Sequence, residues 1–229
     1  MTVRLLTVQT ATPAGSVALT DGERVLGEIS FNVRRTHNDW LLVAITRLLE
    51  MAEMSIADLD GFAVVVGPGS FTGLRVGIAT VKALAQSCDR KIVGVSSLRT
   101  LAMQTPYSRL PVCSMLDARK KEVYTGLYSW ESGQPEPLSE ERVIKPEILL
   151  SELSGGIVFV GDGALTYRTL IVRQLGAHAH FAPWSVAAPR AASAALLALD
   201  DWNAGHRLSP ETLLPIYIRP SEAELNWRR

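Results

Sequence analysis

Little in this chain of 229 residues invites chemistry. It has two cysteines, Cys88 and Cys113, in apolar stretches without CxxC spacing. That excludes a disulfide scaffold and suits buried, reduced thiols in a cytoplasmic protein. Net charge is missing too, with 23 Lys plus Arg against 23 Asp plus Glu. No overall field therefore draws the chain onto nucleic acid or an anionic membrane, and such a partner has to be met through a local patch or another subunit. No stretch approaches about 20 uncharged apolar residues, so no membrane span is expected. After Arg4, the run Leu5-Leu6-Thr7-Val8 is too short for a signal h-region and lacks a cleavage site. Four histidines are present, and only His178 and His180 share a strand-like stretch. No carboxylate or cysteine joins them at ligand spacing, so no metal site is expected.

What is present is an ordinary core composition, 47% hydrophobic, enough for one large domain or two small ones. The central stretch runs Val64-Val65-Val66-Gly67-Pro68-Gly69-Ser70-Phe71-Thr72-Gly73-Leu74-Arg75-Val76-Gly77-Ile78-Ala79-Thr80-Val81-Lys82-Ala83. β-Branched residues break at Gly-Pro-Gly, two hydroxyl residues able to cap a helix follow, and a small-residue segment continues. This reads as strand, tight loop and helix. Around it, Val3 to Thr10, Ser16 to Leu19 and Val25 to Phe31 read as an antiparallel meander. A helix then opens at Thr36, with Asp39 completing a capping box, and His37 sits in its first turn. Lys91 to Ser96 is a further buried strand and Ser97 to Gln104 a short helix. The N-terminal order is thus βββαβαβ, an α/β unit with a mixed sheet.

A proline-flanked tract, Thr105 to Pro111, marks the expected boundary between a first domain, 1–105, and a smaller α/β domain, 106–229. The helix 191–203 is a candidate to return to the first. In the second half a hairpin is expected around Ala118-Arg119-Lys120-Lys121, and a Pro-started helix from Lys145 to Leu153. A second strand, glycine loop and helix unit runs through Gly161-Asp162-Gly163 to Leu175. The charged tail Ser221 to Arg229 reads as frayed.

The glycine loop lacks the Gly-Lys-Ser/Thr of a Walker A motif, and neither loop matches GxGxxG. Ser70 is outside a GxSxG elbow, so helix capping accounts for Ser70 and Thr72 more simply than nucleophilic catalysis. Asp117 and Arg119 read as a structural ion pair or as residues lining a cleft. The first helix carries a core stripe of Leu41, Leu42, Ile45, Leu48, Leu49 and Ala52. Trp40, Val43, Ala44 and Met51 widen its apolar surface, so the helix is either buried on two sides or docks on a partner. In the second helix, Gly73 and Gly77 lie four apart, each costing up to about 1 kcal/mol of helix propensity relative to Ala. Their use is close packing, within the fold or across an interface.

These residues carry a resemblance. Leu5 to Thr12, His37, Gly67-Pro68-Gly69-Ser70-Phe71-Thr72-Gly73-Leu74-Arg75-Val76-Gly77, Leu116-Asp117-Ala118-Arg119 with Glu122-Val123-Tyr124, and Pro215 to Arg219 together resemble the bacterial TsaB family. The resemblance implies a fold of two actin-like (ribonuclease H-like) domains, related to Hsp70. It also implies a non-catalytic role in making threonylcarbamoyladenosine in tRNA, as partner of the transferase TsaD with the small ATPase TsaE joining them. Pairing in that family, as homodimer or as heterodimer with TsaD, uses the first two helices. The implied interface here is Trp40, Leu41, Ala44, Ile45, Leu48, Gly73, Leu74, Gly77, Ile78 and Val81. Thr10, Thr12, Asp117, Arg119, Gly161 and Gly163 are candidate nucleotide- or cleft-lining residues. No cofactor is expected for the isolated chain, with ATP or ADP only within the complex, and tRNA is expected to be met mainly through the complex.

Where actin-like ATPases end their first strand in an Asp that holds Mg²⁺, this chain has Gln9, a poor ligand for a hard dication. The His-x-x-x-His pair of TsaD-type transferases is also lacking. The competing readings are an actin-like ATPase or kinase working between two domains, and a metallopeptidase.

Overall fold

A computed structural model describes residues 2–33, 36–130 and 133–219. The charged tail from Ser221 to Arg229 lies outside the described residues. In chain order the elements are β1 (Arg4–Gln9), β2 (Gly15–Asp21), β3 (Arg24–Phe31), α1 (His37–Met51), β4 (Gly61–Gly67), α2 (Phe71–Ser87), β5 (Lys91–Ser96) and α3 (Ser97–Met103). There follow β6 (Val112–Asp117), β7 (Val123–Ser129), β8 (Glu136–Pro137), β9 (Arg142–Ile144), α4 (Pro146–Glu152), β10 (Ile157–Val160), α5 (Asp162–Thr166), α6 (Arg168–Leu175), β11 (Ala179–Phe181) and α7 (Ala191–Asn203). The expected βββαβαβ order is the observed one. The chain divides into two compact units, one of residues 1–100 with 189–216 and one of 101–188 with 217–229. The division falls within α3, ahead of the proline-flanked tract.

In the first unit the sheet order is β3-β2-β1-β4-β5. β1 pairs antiparallel with β2 and parallel with β4, and β4 pairs parallel with β5. Leu5, Leu6, Val8 and every residue of β4 are buried, as expected of central strands covered on both faces. Successive strand residues point to opposite faces. Val8 and Thr10 lie against α2, whereas the Gln9 amide between them donates to the Pro189 carbonyl at the entry to α7 (2.9 Å). Helix α7 therefore covers the face opposite α2. Its Trp202 ring occupies the space over Gly61 that a Cβ would need. The chain then runs back along this unit, with Leu208 bridging Ile92 and the Ile216 N–H donating to the Val66 carbonyl (2.8 Å).

The second unit repeats the plan. β6 pairs antiparallel with β7, β7 antiparallel with β9, β6 parallel with β10 and β10 parallel with β11. The order β9-β7-β6-β10-β11 thus reproduces β3-β2-β1-β4-β5, with β8 added beside β7. Its core gathers Cys113, Met115, Val123, Leu149, Leu150, Ile157, Phe159, Ala164 and Ile171. Pro146 opens α4 at its first turn as expected. Two local expectations change. The helix expected through to Leu175 breaks at Tyr167, whose backbone leaves the helical region (φ −101°, ψ 15°), giving α5 and α6. His178 and His180 do not share a strand, because His178 ends a 3₁₀ turn and β11 begins at Ala179.

Trp202→Ala, by emptying the site over Gly61, is expected to cost about 3–5 kcal/mol in urea unfolding. A cost below about 1 kcal/mol would contradict α7 as part of the first unit's core.

Candidate interaction surface

The glycine loop is used up by its own unit. β4 ends at Gly67, whose φ of +129° suits glycine and whose peptide to Pro68 is cis. The Ser70 N–H donates to the Ala11 carbonyl (2.7 Å), and Ser70 Oγ caps α2 by accepting the Gly73 N–H (3.3 Å). Of the two hydroxyl residues, Ser70 is the cap, while Thr72 is exposed. A Cβ at Gly69 would collide with the Ala11 carbonyl, one at Gly73 with the Thr10 carbonyl, and one at Gly77 with Thr10 Oγ1. Thr10 Oγ1 in turn donates to the Gly73 carbonyl (2.8 Å). The three glycines thus let the start of α2 press against the chain leaving β1.

Helix α1 begins with the expected capping box of Thr36 and Asp39. His37 is half-buried, its Nε2 lying 3.0 Å from the Thr12 carbonyl. A carbonyl only accepts, so Nε2 carries the proton. Nδ1 is buried without a hydrogen bond among the described residues, and burial holds the imidazole below its ordinary pKa despite the Thr12 contact. His37 also stands edge-on to Trp40 (centroids 5.7 Å), which packs on Phe31 from the other side (5.2 Å).

In the single chain the side chains of the implied interface lie inward. Trp40, Leu41, Ala44, Ile45, Leu48, Gly73, Leu74, Gly77, Ile78 and Val81 are all buried within the chain. They face the sheet and one another, so none forms an outward surface. The outward side of α1 carries Leu42, Val43 and Met51, which are 57%, 69% and 70% exposed, with the Arg47–Glu50 ion pair (3.4 Å) between them. Leu42, expected in the core stripe, points out. α2 adds Thr72, Arg75, Ala79, Ala83 and Gln86, all exposed. The Arg75 guanidinium lies over the Phe71 ring (3.9 Å). A signal for this face was available, since Val43 lies on the side of the helix that bears Thr46, Arg47 and Glu50, with Leu42 and Met51 at its two edges.

The other candidate residues lie in separate units. In the first, Thr12 Oγ1 donates to the Ala14 carbonyl (2.7 Å), and both hydroxyls of Thr10 and Thr12 are thus committed locally. Gln9 is fully buried, its amide donating to Pro189 and its Oε1 without a hydrogen bond among the described residues. A neutral amide held in this way does not fit the ligand set of a magnesium nucleotide. In the second unit, Asp117 pairs with Arg119 (3.6 Å), and the Asp117 N–H donates to the Asp162 carboxylate (3.0 Å). Burial, aided by the charge on Asp117, raises the pKa of Asp162. Gly161 (φ +116°) and Gly163 lie hard against the Met115 and Leu116 backbone. Among the described residues no group of three or more His, Cys, Asp or Glu is placed to hold a metal ion, and no helix is long and apolar enough to cross a membrane.

The family model for tRNA N6-adenosine threonylcarbamoyltransferase, TsaD, matches residues 24–227. The chain is 30% identical to the tRNA threonylcarbamoyladenosine biosynthesis protein TsaB of Bacillus subtilis (strain 168), over 97% of each chain. It is 35% identical to the protein of the same name in Escherichia coli (strain K12), over 70% of this chain and 72% of that one. Among solved structures, YeaZ from Pseudomonas aeruginosa superposes with a TM-score of 0.82 at 30% identity, covering 94% of this chain and 99% of that one. A second Pseudomonas aeruginosa structure, described as an uncharacterized protein with similarity to peptidase YEAZ, gives the same TM-score of 0.82.

Gly77→Ala gains helix propensity of up to about 1 kcal/mol but forces α2 off Thr10. A net loss of about 1–3 kcal/mol is expected from overpacking, read by urea denaturation; a stabilised variant would contradict the contact. For His37 the folded pKa lies below the unfolded value, so the unfolded chain binds the extra proton first. Its stability contribution is complete above about pH 6.5 and declines as pH falls below that. His37→Gln is expected to flatten the pH dependence of stability between about pH 7 and 5, and an unchanged slope would refute the assignment.

Proposed function

The chain belongs to the TsaB family of tRNA threonylcarbamoyladenosine biosynthesis proteins, and from that premise we propose that it is a non-catalytic interaction subunit of this tRNA modification. In this reading it binds and activates a TsaD-type transferase in the cytoplasm, together with the TsaE ATPase, and also pairs with a second copy of itself. The observation that carries the proposal is the outward side of α1 and α2. Leu42, Val43 and Met51 present apolar area around one ion pair, and Ala79 and Ala83 on α2 leave room for close approach. A chain that matches a transferase family model over residues 24–227, yet lacks the His-x-x-x-His pair of such transferases, fits a sequence-related partner better than a second catalyst. The ATPase reading is disfavoured by Gln9, whose amide is spent on Pro189.

Mixed with its cognate TsaD, the purified chain is expected to form a complex in analytical ultracentrifugation at about 10 µM. Val43→Glu would place a charge in the contact and weaken assembly at least about tenfold, or 1.4 kcal/mol, with unchanged unfolding because Val43 is exposed. Failure of the wild-type chain to associate overturns the proposal, and full association by Val43→Glu overturns the surface.

A further inference from the structure

The sulfur atoms of the chain belong to two cysteines and five methionines, and the fold protects them unequally. Cys113 is fully buried in the core of the second unit, its Sγ 3.4 Å from Thr125 Oγ1, and burial pushes its pKa up to about 12. Cys88 is half-buried, its Sγ donates to the Leu84 carbonyl (3.2 Å), and burial raises its pKa as well. Peroxides oxidise the thiolate, so both cysteines are held in the unreactive form.

A thioether has no proton to lose, and neither pH nor a raised pKa shields it. Access alone decides. Met115 is fully buried, and Met54 and Met103 are half-buried. Met51, the last residue of α1, is 70% exposed, the most accessible sulfur among the described residues. It lies on the outward side of α1 with Leu42 and Val43, where an unbranched, polarizable side chain suits an irregular docking contact.

We infer that Met51 is a modification site, where oxidation by hydrogen peroxide switches off the pairing surface of α1. The inference rests on the reading given under Proposed function. In the step, a sulfur lone pair attacks one peroxide oxygen, the S–O bond forms and the O–O bond breaks. Sulfur gives up two electrons, and the hydroxide released takes the proton left on the transferred oxygen and departs as water. The sulfoxide is polar and chiral, and burying it against an apolar partner without a donor costs more than the thioether contributed. Sulfoxide reductases reverse the change, which makes it a switch and not only a lesion.

The test treats the full chain with hydrogen peroxide, removes the peroxide, and mixes the chain with untreated TsaD in analytical ultracentrifugation. Peptide mass mapping is expected to find the added oxygen at Met51 well before Met115. Assembly is expected to weaken about tenfold, or 1.4 kcal/mol, with urea unfolding unchanged because Met51 is exposed. Met51→Leu keeps the apolar volume and is expected to assemble like the wild type before and after peroxide. Met51→Gln, polar without any oxidant, is expected to assemble as weakly as the oxidised chain. Oxidation of Met51 no faster than that of Met115, full assembly by the oxidised wild type, earlier unfolding of the oxidised chain, or a peroxide effect that persists in Met51→Leu would each overturn the inference. If the untreated wild type does not assemble, the subunit reading falls and this inference with it; if it assembles equally before and after oxidation, this inference falls alone.

Discussion

The first unit depends on one close contact, the start of α2 against the end of β1. Thr10 gives its carbonyl to the space beside Gly73 and its hydroxyl to the space beside Gly77, while donating to the Gly73 carbonyl. A side chain at either glycine would push the helix away from the strand. The loop that precedes the helix obeys the same constraint, since Gly69 must pass the Ala11 carbonyl and Ser70 must both reach Ala11 and cap the helix. Backbone groups that a phosphate-binding loop would leave open are here facing protein.

That packing limits which sides of α1 and α2 are left outside. The inner sides of α1 and α2 are committed to the sheet through Leu41, Ile45, Leu74, Ile78 and Val81. What remains is the outward side of the same helices, where exposed Leu42, Val43, Met51, Ala79 and Ala83 lie among Arg47, Glu50 and Arg75. The opposite face of the sheet is closed by α7, with Trp202 over Gly61 and Glu28 accepting the Ala192 N–H (3.1 Å) and pairing with Arg190.

Much of this fold is legible in the sequence alone. The run of β-branched residues ending at Gly-Pro-Gly, the Thr36 and Asp39 box and the extent 191–203 each follow from local rules, and each appears as expected. The resemblance implied two like domains, but the residues alone did not show the repeated sheet order, because β9 is only three residues long and sits in a polar loop. The site was half legible. Composition showed that α1 is more apolar than one buried face requires, yet it could not say which apolar residues the sheet would take. Trp40 was claimed by Phe31 and the small Gly15, and Leu42 was left outside. Likewise Gly73 and Gly77 read correctly as close-packing residues, and only the fold revealed that Thr10 is what they pack against. The left-handed backbone of Arg119, Lys120 and Lys121 had no sequence signal, since basic residues there predict ordinary turn backbone.

The most direct test of the account is hydroxyl-radical footprinting of the wild-type chain with and without its TsaD partner. Oxidation of Met51, Leu42 and Val43 should fall on mixing, while exposed Tyr107 and Trp184 in the second unit keep their reactivity. If Met51, Leu42 and Val43 react equally in the complex and in the free chain, the outward side of α1 is not the pairing surface and the central claim fails.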